Sequence, residues 1–462
     1  MSQNSNTRIE KDSMGSFEVP STAYYGANTM RAVVNFPISS LKFQRVFIKS
    51  LAQIKKAAAL TNLDLGLIDK EIANTISDSA QKVIDGDYDD QFVVDIFQTG
   101  SGTSTNMNVN EVIANLSIES LGGTVGSKVP VHPNDHVNMG QSSNDVIPTA
   151  IHISAIDSII NELMPSIEQL ENSLRQKSDE FKDIIKTGRT HLQDATPITL
   201  GQEFLGFAGQ MQRSNSRIKD GLNGLSEVAL GGTAVGTGIN TDNKFAERVC
   251  TYLSQWTGHG IRETDNHFQS QSTLDAVVHM SGALKTLAVS IMKISNDIRW
   301  LGSGPRAGFG EIELPEVQPG SSIMPGKVNP VIAESTAMVA AQVIGNDVTV
   351  SIAGQSGNFE LNVMMPVAAF NLLQSIELLS NSLKNLATQC VDGITSTQRG
   401  PEMVEKGLAI VTTLVPIIGY DKAAAIAKKA QKTGKTIREV TLEETDLDPS
   451  EIDTILDPAK MI

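Results

Sequence analysis

The sequence predicts a mainly α-helical protein built around a bundle of long helices. Two apolar seams step by three and four residues, from Ile156 to Leu174 and from Leu284 to Ile298, as one buried face of a long helix does. Pro165 falls inside the first seam and is expected to bend that helix or interrupt its hydrogen-bond ladder. Aromatic residues make up only 5% of the chain, and alternation typical of strands is sparse. Long helices of this kind bury their seams by packing side by side.

Three regions differ in composition and define the predicted domains. Residues 1–140 mix loops with short helical stretches and contain many Asn, Gly and Thr residues. Residues 141–397 carry the long helices, including segments around 331–353 and 366–390. Residues 398–462 are charged, and the run YDKAAAIAKKAQKTGKTIREV predicts a small helical cap.

Charge and composition exclude several classes of protein. The formal net charge of −15 argues against a nucleic-acid-binding surface, and it means that an anionic substrate must be held by local donors. No run approaches the roughly 18 uncharged apolar residues of a membrane span, and the N-terminus lacks the apolar segment of a signal peptide. Cys250 and Cys390 are too few for a disulfide framework. We therefore expect a soluble, cytoplasmic protein.

Four polar, glycine-containing segments interrupt the helical pattern. Loops carried on rigid helices are frequent sites of chemistry, so each segment is a candidate functional loop. They are TGSGTSTNMNVNE (99–111), HPNDHVNMGQSSNDVIPTA (132–150), GRTHLQDATP (188–197) and GSSIMPGKVNPVIAE (320–334).

The last of these loops combines reactive groups within nine positions. It supplies two hydroxyls, a cation and an amide donor: Ser321, Ser322, Lys327 and Asn329. Gly320 and Gly326 give its backbone freedom to adopt unusual dihedral angles. The spacing does not fit a phosphate-binding loop, because Val328 stands where Ser or Thr is required. The set suits a reaction that passes through an oxyanion, although a flexible surface turn is the alternative.

His191 is the candidate general acid–base. Its neighbours are a cation, a hydroxyl and a carboxylate, namely Arg189, Thr190 and Asp194. Histidine titrates near neutrality, which suits it to proton transfer, and Glu334 is a candidate to orient the ring. A lone histidine is more often structural, and with these neighbours the structural and catalytic interpretations are equally good.

Two segments resemble helix starts that could hold a carboxylate. Ser142, Ser143 and Asn144 precede an acidic residue and an early proline, which is typical of an N-cap. Ser101, Gly102 and Thr103 precede a second helix, predicted to begin near Asn106. A helix N-terminus presents free N–H groups and a partial positive charge to an anion. Both segments are equally consistent with ordinary caps.

Other motifs give weaker signals. His132 and His136 have the spacing of metal ligands, but Pro133 and Asn134 break the helix that would place them on one face, so no metal site is expected. The glycine-rich run GGTAVGTGIN (231–240) does not follow a predicted strand, so it is a poor candidate for dinucleotide binding.

The four loops resemble the motifs of the fumarase/aspartase superfamily, in the same order. GSSIMPGKVNP closely matches the superfamily signature, and the opening EKDSMGSFEVPSTAYYGANTMRAVVNFPIS resembles that of class II fumarases. The resemblance covers essentially the whole chain. Aspartases typically carry Gln, Ala and Thr at the positions of His191, Gly326 and Ser143, so these three positions are fumarase-like. Argininosuccinate and adenylosuccinate lyases lack HPNDHVN and SGTSTNMN in this form.

The resemblance implies a three-domain fold whose central helices form a twenty-helix core in a homotetramer. It also implies active sites shared between three subunits, and no metal or organic cofactor. The apolar seams agree with assembly, because a helix with more apolar surface than one bundle covers is best buried by oligomerisation.

The resemblance further implies a hydro-lyase of the tricarboxylic acid cycle that interconverts fumarate and L-malate. By position, Ser321 takes the C3 proton of malate, while Lys327 and Asn329 hold the resulting aci-carboxylate. His191, oriented by Glu334, handles the departing hydroxyl. The implied substrate-binding residues are Ser101, Gly102, Thr103, Ser142, Ser143, Asn144, Thr190, Ser322, Lys327, Val328 and Asn329. A second, non-catalytic anion site is implied at His132, Pro133, Asn134 and Asp135. The alternatives are an aspartate ammonia-lyase and a non-catalytic superfamily member.

Overall fold

The computed structural model describes residues 6–462, and within them the chain is mainly α-helical. The helices are α1 (Ala27–Asn35), α2 (Arg45–Asp64), α3 (Lys70–Asp85), α4 (Thr103–Ser120), α5 (Ser143–Ser158), α6 (Met164–Glu180), α7 (Leu200–Leu225), α8 (Phe245–Thr257), α9 (His267–Ser272), α10 (Asp275–Leu301), α11 (Val331–Gly354), α12 (Met365–Gln389), α13 (Arg399–Lys406), α14 (Val415–Ile418), α15 (Tyr420–Thr433), α16 (Ile437–Glu444) and α17 (Pro449–Ile455).

The strands are short and form two-stranded sheets in the described part of the chain. They are β1 (Thr7–Asp12), β2 (Gly15–Pro20), β3 (Ile185–Thr190), β4 (Gln193–Thr199), β5 (Glu227–Val228), β6 (Arg262–Glu263), β7 (Ile312–Glu313), β8 (Gly357–Asn358), β9 (Leu361–Asn362) and β10 (Thr395–Ser396). β1 and β2 form an antiparallel hairpin, and so do β3 and β4, with an irregularity in register between Thr187 and Arg189. The predicted scarcity of strands is confirmed.

Both predicted apolar seams lie on helices that bury them. In the second seam, all five residues from Leu284 to Ile298 are fully buried on α10. In the first, Ile156 and Leu174 are fully buried at the two ends, while Ile160 is only partly buried. A π-helical turn at Ile159–Leu163 separates α5 from α6. Pro165, the second residue of α6, lacks the N–H that would continue the ladder, so the predicted interruption is confirmed.

The chain divides into two compact units, each made of three segments. Unit 1 contains Met1–Met164, Ser216–Thr286 and Gln342–Leu379. Unit 2 contains Pro165–Asn215, Leu287–Ala341 and Ser380–Ile462. The division into three domains at residues 140 and 397 stays a prediction.

Unit 1 is held together by apolar helix faces and a few buried polar links. The Asp347 carboxylate of α11 accepts hydrogen bonds from Ser281 Oγ at 2.8 Å and from Lys285 Nζ at 2.6 Å, both on α10. Asn346 Nδ2 donates to Ser375 Oγ of α12 at 3.1 Å. Buried polar groups must be paired. These links therefore fix how α10, α11 and α12 align with one another along the segments that belong to unit 1.

Unit 2 contains a small separate core near the C-terminus. Its buried members come from α13 to α17 and the adjoining turns: Val404, Ile410, Leu414, Ile426, Ala430, Ile437, Val440, Ile452 and Leu456. Gly434 ends α15 in the left-handed region, with φ of 72°, as a C-terminal glycine commonly does. The predicted helical cap is confirmed as α15 and α16.

Within residues 6–462, two helices are long and apolar enough, by length and composition alone, to cross a membrane: α10 and α11. Core helices of proteins outside membranes pass the same test, and both helices contain charged residues, such as Lys285 and Asp347. Only 33% of the most apolar stretch of α11 is buried within the chain. Its exposed side carries Met338, Val348 and Ile352, which are 68%, 56% and 47% exposed.

Candidate active site

The first predicted hydroxyl cluster lies at the start of α4. Helix α4 begins at Thr103 rather than near Asn106, and Gly102 is its N-cap with φ of 72°. The helix therefore starts three residues earlier than expected, because glycine adopts this left-handed conformation without strain. Ser101 Oγ and Thr103 Oγ1 are 2.8 Å apart and share a hydrogen bond. A Cβ at Gly100 would lie 1.9 Å from the Val363 carbonyl oxygen, so only glycine fits there.

The second cluster caps α5, as the sequence predicts. Ser142 is the N-cap, and its side chain and that of Asp145 form a capping box. Ser143 Oγ accepts a hydrogen bond of 2.9 Å from Asn106 Nδ2 of α4, and Asn144 Nδ2 donates to the Ala234 carbonyl at 2.9 Å. The α4 and α5 starts are thus joined within unit 1. Because Ser143 Oγ accepts from Asn106, its own hydrogen is free to donate.

Asp145 holds the N-terminus of α5 in place through hydrogen bonds to its carboxylate. It is fully buried, and its carboxylate accepts hydrogen bonds from the backbone N–H groups of Ser142, Gly231 and Thr233 at 2.9, 3.1 and 2.9 Å. Burial raises the pKa of Asp145 to about 6, although the three N–H groups and the charge of Lys55 oppose the rise. The glycine-rich segment 231–240 thus supplies backbone N–H donors to the Asp145 carboxylate.

Sequence reasoning missed Lys55, which lies on α2 beside this cluster. Lys55 is fully buried, and burial lowers its pKa to about 7, partly offset by the charge of Asp145. The sequence contained a signal, since Lys55 shares the apolar face of α2 with the buried residues Ile48, Leu51 and Ala59. A lysine on an apolar helix face is rare unless it has polar partners.

The predicted second anion site forms a separate turn. Pro133–Val137 is a single π-helical turn, and His132 caps it. His132 Nδ1 accepts hydrogen bonds of 3.2 Å from the backbone N–H groups of Asn134 and Asp135. Burial lowers the pKa of His136. Both histidines are therefore engaged in the local turn, and among the described residues no group of three His, Cys, Asp or Glu side chains is placed to hold a metal ion.

His191 occupies the tip of the β3–β4 hairpin in unit 2. His191 and Leu192 both have positive φ, of 57° and 59°, as a two-residue hairpin turn requires. Histidine is among the residues that adopt this conformation more readily, whereas leucine is not, so the strain in the turn lies at Leu192. Thr190 and His191 are both exposed in the single chain.

A buried ionic cluster holds the base of this hairpin. The Glu311 carboxylate receives Arg189 at 2.5 and 3.2 Å and Lys186 Nζ at 3.2 Å. Lys186 also pairs with Glu203 at 2.9 Å, and the Arg189 guanidinium lies 4.3 Å above the centre of the Phe309 ring. The side chains of Lys186 and Glu311 are 2% and 1% exposed. This cluster provides rigid support for the strained turn.

We predict that Glu311→Ala destabilises the protein by about 3–5 kcal/mol, because it leaves Arg189 and Lys186 buried with too little negative charge. A thermal unfolding curve against the wild type measures the effect. Glu443→Gln is the matched control, since Glu443 pairs with Lys429 and Lys435 on the exposed surface and surface pairs contribute little. Equal melting temperatures for Glu311→Ala and the wild type would contradict the assigned role.

The 320–329 loop, also in unit 2, closes on itself. A Cβ at Gly320 would lie 1.9 Å from the Lys327 carbonyl oxygen, and Asn329 Nδ2 donates to the Gly320 carbonyl. Ser321 Oγ accepts the backbone N–H groups of Met324 at 2.9 Å and Ile323 at 3.3 Å. Two N–H donors on one hydroxyl oxygen favour its deprotonated form.

Most of the loop is exposed in the single chain. Ile323 is 84% exposed and Met324 48%, and Ser322, Lys327 and Val328 are exposed as well. Glu334 lies in the first turn of α11. In the part of the chain that the structure describes, no hydrogen bond or ion pair is formed by the side chains of His191, Lys327 or Glu334. The arrangement leaves these groups available to a substrate and to neighbouring chains.

The predicted site residues therefore fall into two groups. The segments around Ser101 and Ser142 that are predicted to bind a carboxylate, and the His132 turn, belong to unit 1, whereas Thr190, His191, the 320–329 loop and Glu334 belong to unit 2.

Comparisons with known proteins place this arrangement in a family. Residues 15–345 match the family model described as lyase, and residues 410–462 match the model described as the fumarase C C-terminus. A class II fumarate hydratase from Thermosynechococcus vestitus is 52% identical over 95% of this chain and 94% of its own. The chain belongs to the class II fumarate hydratase family.

Other relatives agree with this assignment. The class II fumarate hydratase of Halobacterium salinarum is 52% identical over 98% of this chain and 97% of its own. The crystal structure of the class II fumarase from Schistosoma mansoni superposes with a TM-score of 0.96 at 41% identity, covering 98% of this chain and 99% of that one. The predicted fold class, a mainly α fold of the fumarase/aspartase type, is confirmed.

Proposed function

We propose that this chain is a hydro-lyase that catalyses the reversible hydration of fumarate to L-malate. The observation that carries the proposal is the Ser321 hydroxyl, which receives two backbone N–H groups inside a loop that also holds Lys327 and Asn329. Family membership supplies the reaction, and the loop supplies donors that stabilise the deprotonated serine. No metal or organic cofactor enters the proposal.

The chemistry requires stabilisation of a dianionic carboxylate. Removal of the C3 proton of malate leaves a carbanion whose charge spreads into the adjacent carboxylate, so donors must be concentrated there. We assign proton removal to Ser321 and stabilisation of the aci-carboxylate to Lys327 and Asn329. His191, oriented by Glu334, protonates the departing hydroxyl so that it leaves as water.

Binding of the substrate carboxylates is assigned to neutral donors. The Ser143 hydroxyl is free to donate, and the N-termini of α4 and α5 present backbone N–H groups. A helix N-terminus stabilises a carboxylate through its orphan N–H groups and its dipole. Such donors suit a protein with a formal net charge of −15, because the long-range field repels the substrate and binding must be local. The remaining binding residues are Ser101, Gly102, Thr103, Ser142, Asn144, Thr190, Ser322 and Val328.

We further propose a cytoplasmic homotetramer whose active sites are shared between subunits. The uncharged exposed side of α11, with Met338, Val348 and Ile352, supports assembly because an apolar helix face of this size is normally covered. The exposure of His191 and of the 320–329 loop in one chain supports contributions from neighbouring chains. The His132–Asp135 turn is retained as a proposed second anion site.

An assay of the purified protein with malate and with aspartate tests the function. We expect fumarate, followed by its ultraviolet absorbance, to form from malate and not from aspartate. Fumarate from aspartate with release of ammonia would instead establish an ammonia-lyase. No product from either substrate would overturn the proposal and favour a non-catalytic member of the family.

A further inference from the structure

Lys55 is an amine buried without a hydrogen-bonded carboxylate. Its relative exposure is 0%, and among the described residues it forms no ion pair. Burial of an ammonium group costs several kcal/mol unless it is compensated. Two side-chain amide oxygens bind it instead, since Lys55 Nζ donates to Asn138 Oδ1 and to Gln141 Oε1, each at 2.9 Å. Such a costly arrangement suggests a role beyond packing.

The Lys55 charge is connected to the substrate-binding cluster by a short chain of hydrogen bonds. Asn138 Oδ1, which accepts from Lys55, also accepts from Asn106 Nδ2 at 3.2 Å and from Asn110 Nδ2 at 3.1 Å. Asn106 Nδ2 in turn donates to Ser143 Oγ at 2.9 Å. Lys55 and Asn106 share one acceptor oxygen, so Lys55 fixes the position of Asn138 and, through it, of the Asn106 amide that donates to Ser143 Oγ.

Gln141 extends the same effect to the backbone before α5. Its side-chain oxygen accepts from Lys55, and its Nε2 donates to the Val137 and Met139 carbonyls, both at 3.2 Å. Asn138 Nδ2 donates to the Gln141 carbonyl at 3.1 Å. Lys55 therefore fixes the segment that leads into Ser142 and the N-terminus of α5.

The neighbouring Asp145 is not part of this hydrogen-bond chain. Its charge acts on Lys55, but its oxygens accept hydrogen bonds from the backbone N–H groups of Ser142, Gly231 and Thr233. No hydrogen bond joins Asp145 to Lys55 among the described residues.

We propose that Lys55 is a positioning residue that holds the Asn106–Ser143 donor pair, through Asn138, for one carboxylate of the dicarboxylate substrate. The inference rests on the proposed function and deepens it. Lys55 acts on binding of the carboxylate in the ground state and the transition state alike, so its loss should appear in KM rather than in kcat.

Lys55→Met tests the proposal, since methionine keeps much of the side-chain length without the charge. We expect KM for malate to rise about 10- to 100-fold, the size of a lost hydrogen bond to a charged group, with kcat changed by less than about threefold. The dissociation constant of succinate, measured by isothermal titration calorimetry, should rise by a similar factor. Lys177→Met is the matched control, because Lys177 is also buried and its partners are Glu180 and the Ile394 carbonyl in unit 2.

Asn138→Asp is the second variant, and it tests the positioning role of Lys55 if Lys55→Met fails to fold. It preserves volume but places a carboxylate against Lys55, which neutralises the charge and removes the Asn138 amide. Weakened succinate binding is expected here too. A folded Lys55→Met or Asn138→Asp protein with wild-type succinate affinity would overturn the proposal, and so would a loss confined to kcat. Succinate binding needs no turnover. Unchanged succinate affinity in the variants would therefore overturn the role of Lys55, whereas a wild type that fails to convert malate would overturn the proposed function.

Discussion

Replacement of Ser321 with alanine is expected to lower kcat for malate by about 10²–10⁴-fold, the range lost when a general base is removed. The dissociation constant of succinate should stay within about threefold of the wild type, because Ser321 is assigned to proton removal and not to carboxylate binding. The Ser321 oxygen is the acceptor of two backbone N–H groups, from Ile323 and Met324. Alanine leaves these N–H groups on an exposed loop, where water replaces the lost acceptor.

Ser322→Ala is the matched control for this experiment. Ser322 has the same side chain, one residue along the same exposed loop, and it is assigned to substrate binding. Its loss should raise KM and leave kcat close to the wild type. Equal kcat values for Ser321→Ala and the wild type would remove Ser321 from the mechanism.

Ser321→Ala also provides a test of shared active sites. In a tetramer reassembled from equal amounts of Ser321→Ala and Ser143→Ala chains, assayed at a malate concentration far below the raised KM of Ser143→Ala, statistics leave about one quarter of such sites intact, provided that the two residues come from different subunits. Activity should therefore reappear on mixing. Persistent inactivity after verified subunit exchange would show that both serines belong to the same chain in each site.

The sequence predicted the parts of the fold that depend on local periodicity. The seam from Leu284 to Ile298 is a fully buried face of α10, because helical spacing alone determines which side chains share a face. The N-cap at Ser142 was predicted for a similar reason, since capping uses residues only two or three positions apart. Pro165 also acts locally, through the N–H that it lacks.

Contacts between distant segments escaped prediction. Asp145 binds the N–H groups of Gly231 and Thr233, 86 and 88 residues away, and Lys55 reaches Asn138 across 83 residues. No local pattern encodes such pairs, because they depend on how the helices pack. The misplaced start of α4 has a different cause. Gly102 was counted as part of a loop, whereas its left-handed conformation makes it the cap itself.

The same distinction explains what the sequence indicated about the candidate site. The residue types in the four loops predicted the chemistry of the site. The buried residues that support those loops were not predicted. Glu311 is the clearest example, since it lies 122 residues from Arg189 and yet holds the hairpin that carries His191. In unit 1, Lys55 is likewise a buried residue that is far in sequence from the segment it supports. In both units, groups assigned to the substrate rest on buried ionisable side chains.

Replacement of His191 with glutamine is expected to lower kcat by about two orders of magnitude or more, because glutamine cannot transfer a proton to the departing hydroxyl. Glutamine keeps a polar side chain of similar reach, and the hairpin is held by Arg189 and Glu311 rather than by the His191 ring. The melting temperature should therefore stay within a few degrees of the wild type, as a circular-dichroism melt would show.

Leu192→Gln is the matched control, because Leu192 shares the same turn with nearly the same φ and is likewise exposed. If strain or shape at the hairpin tip sets the rate, both variants should lose activity together. If proton transfer sets it, only His191→Gln should do so. A His191→Gln enzyme with wild-type kcat would move the acid–base role to another residue.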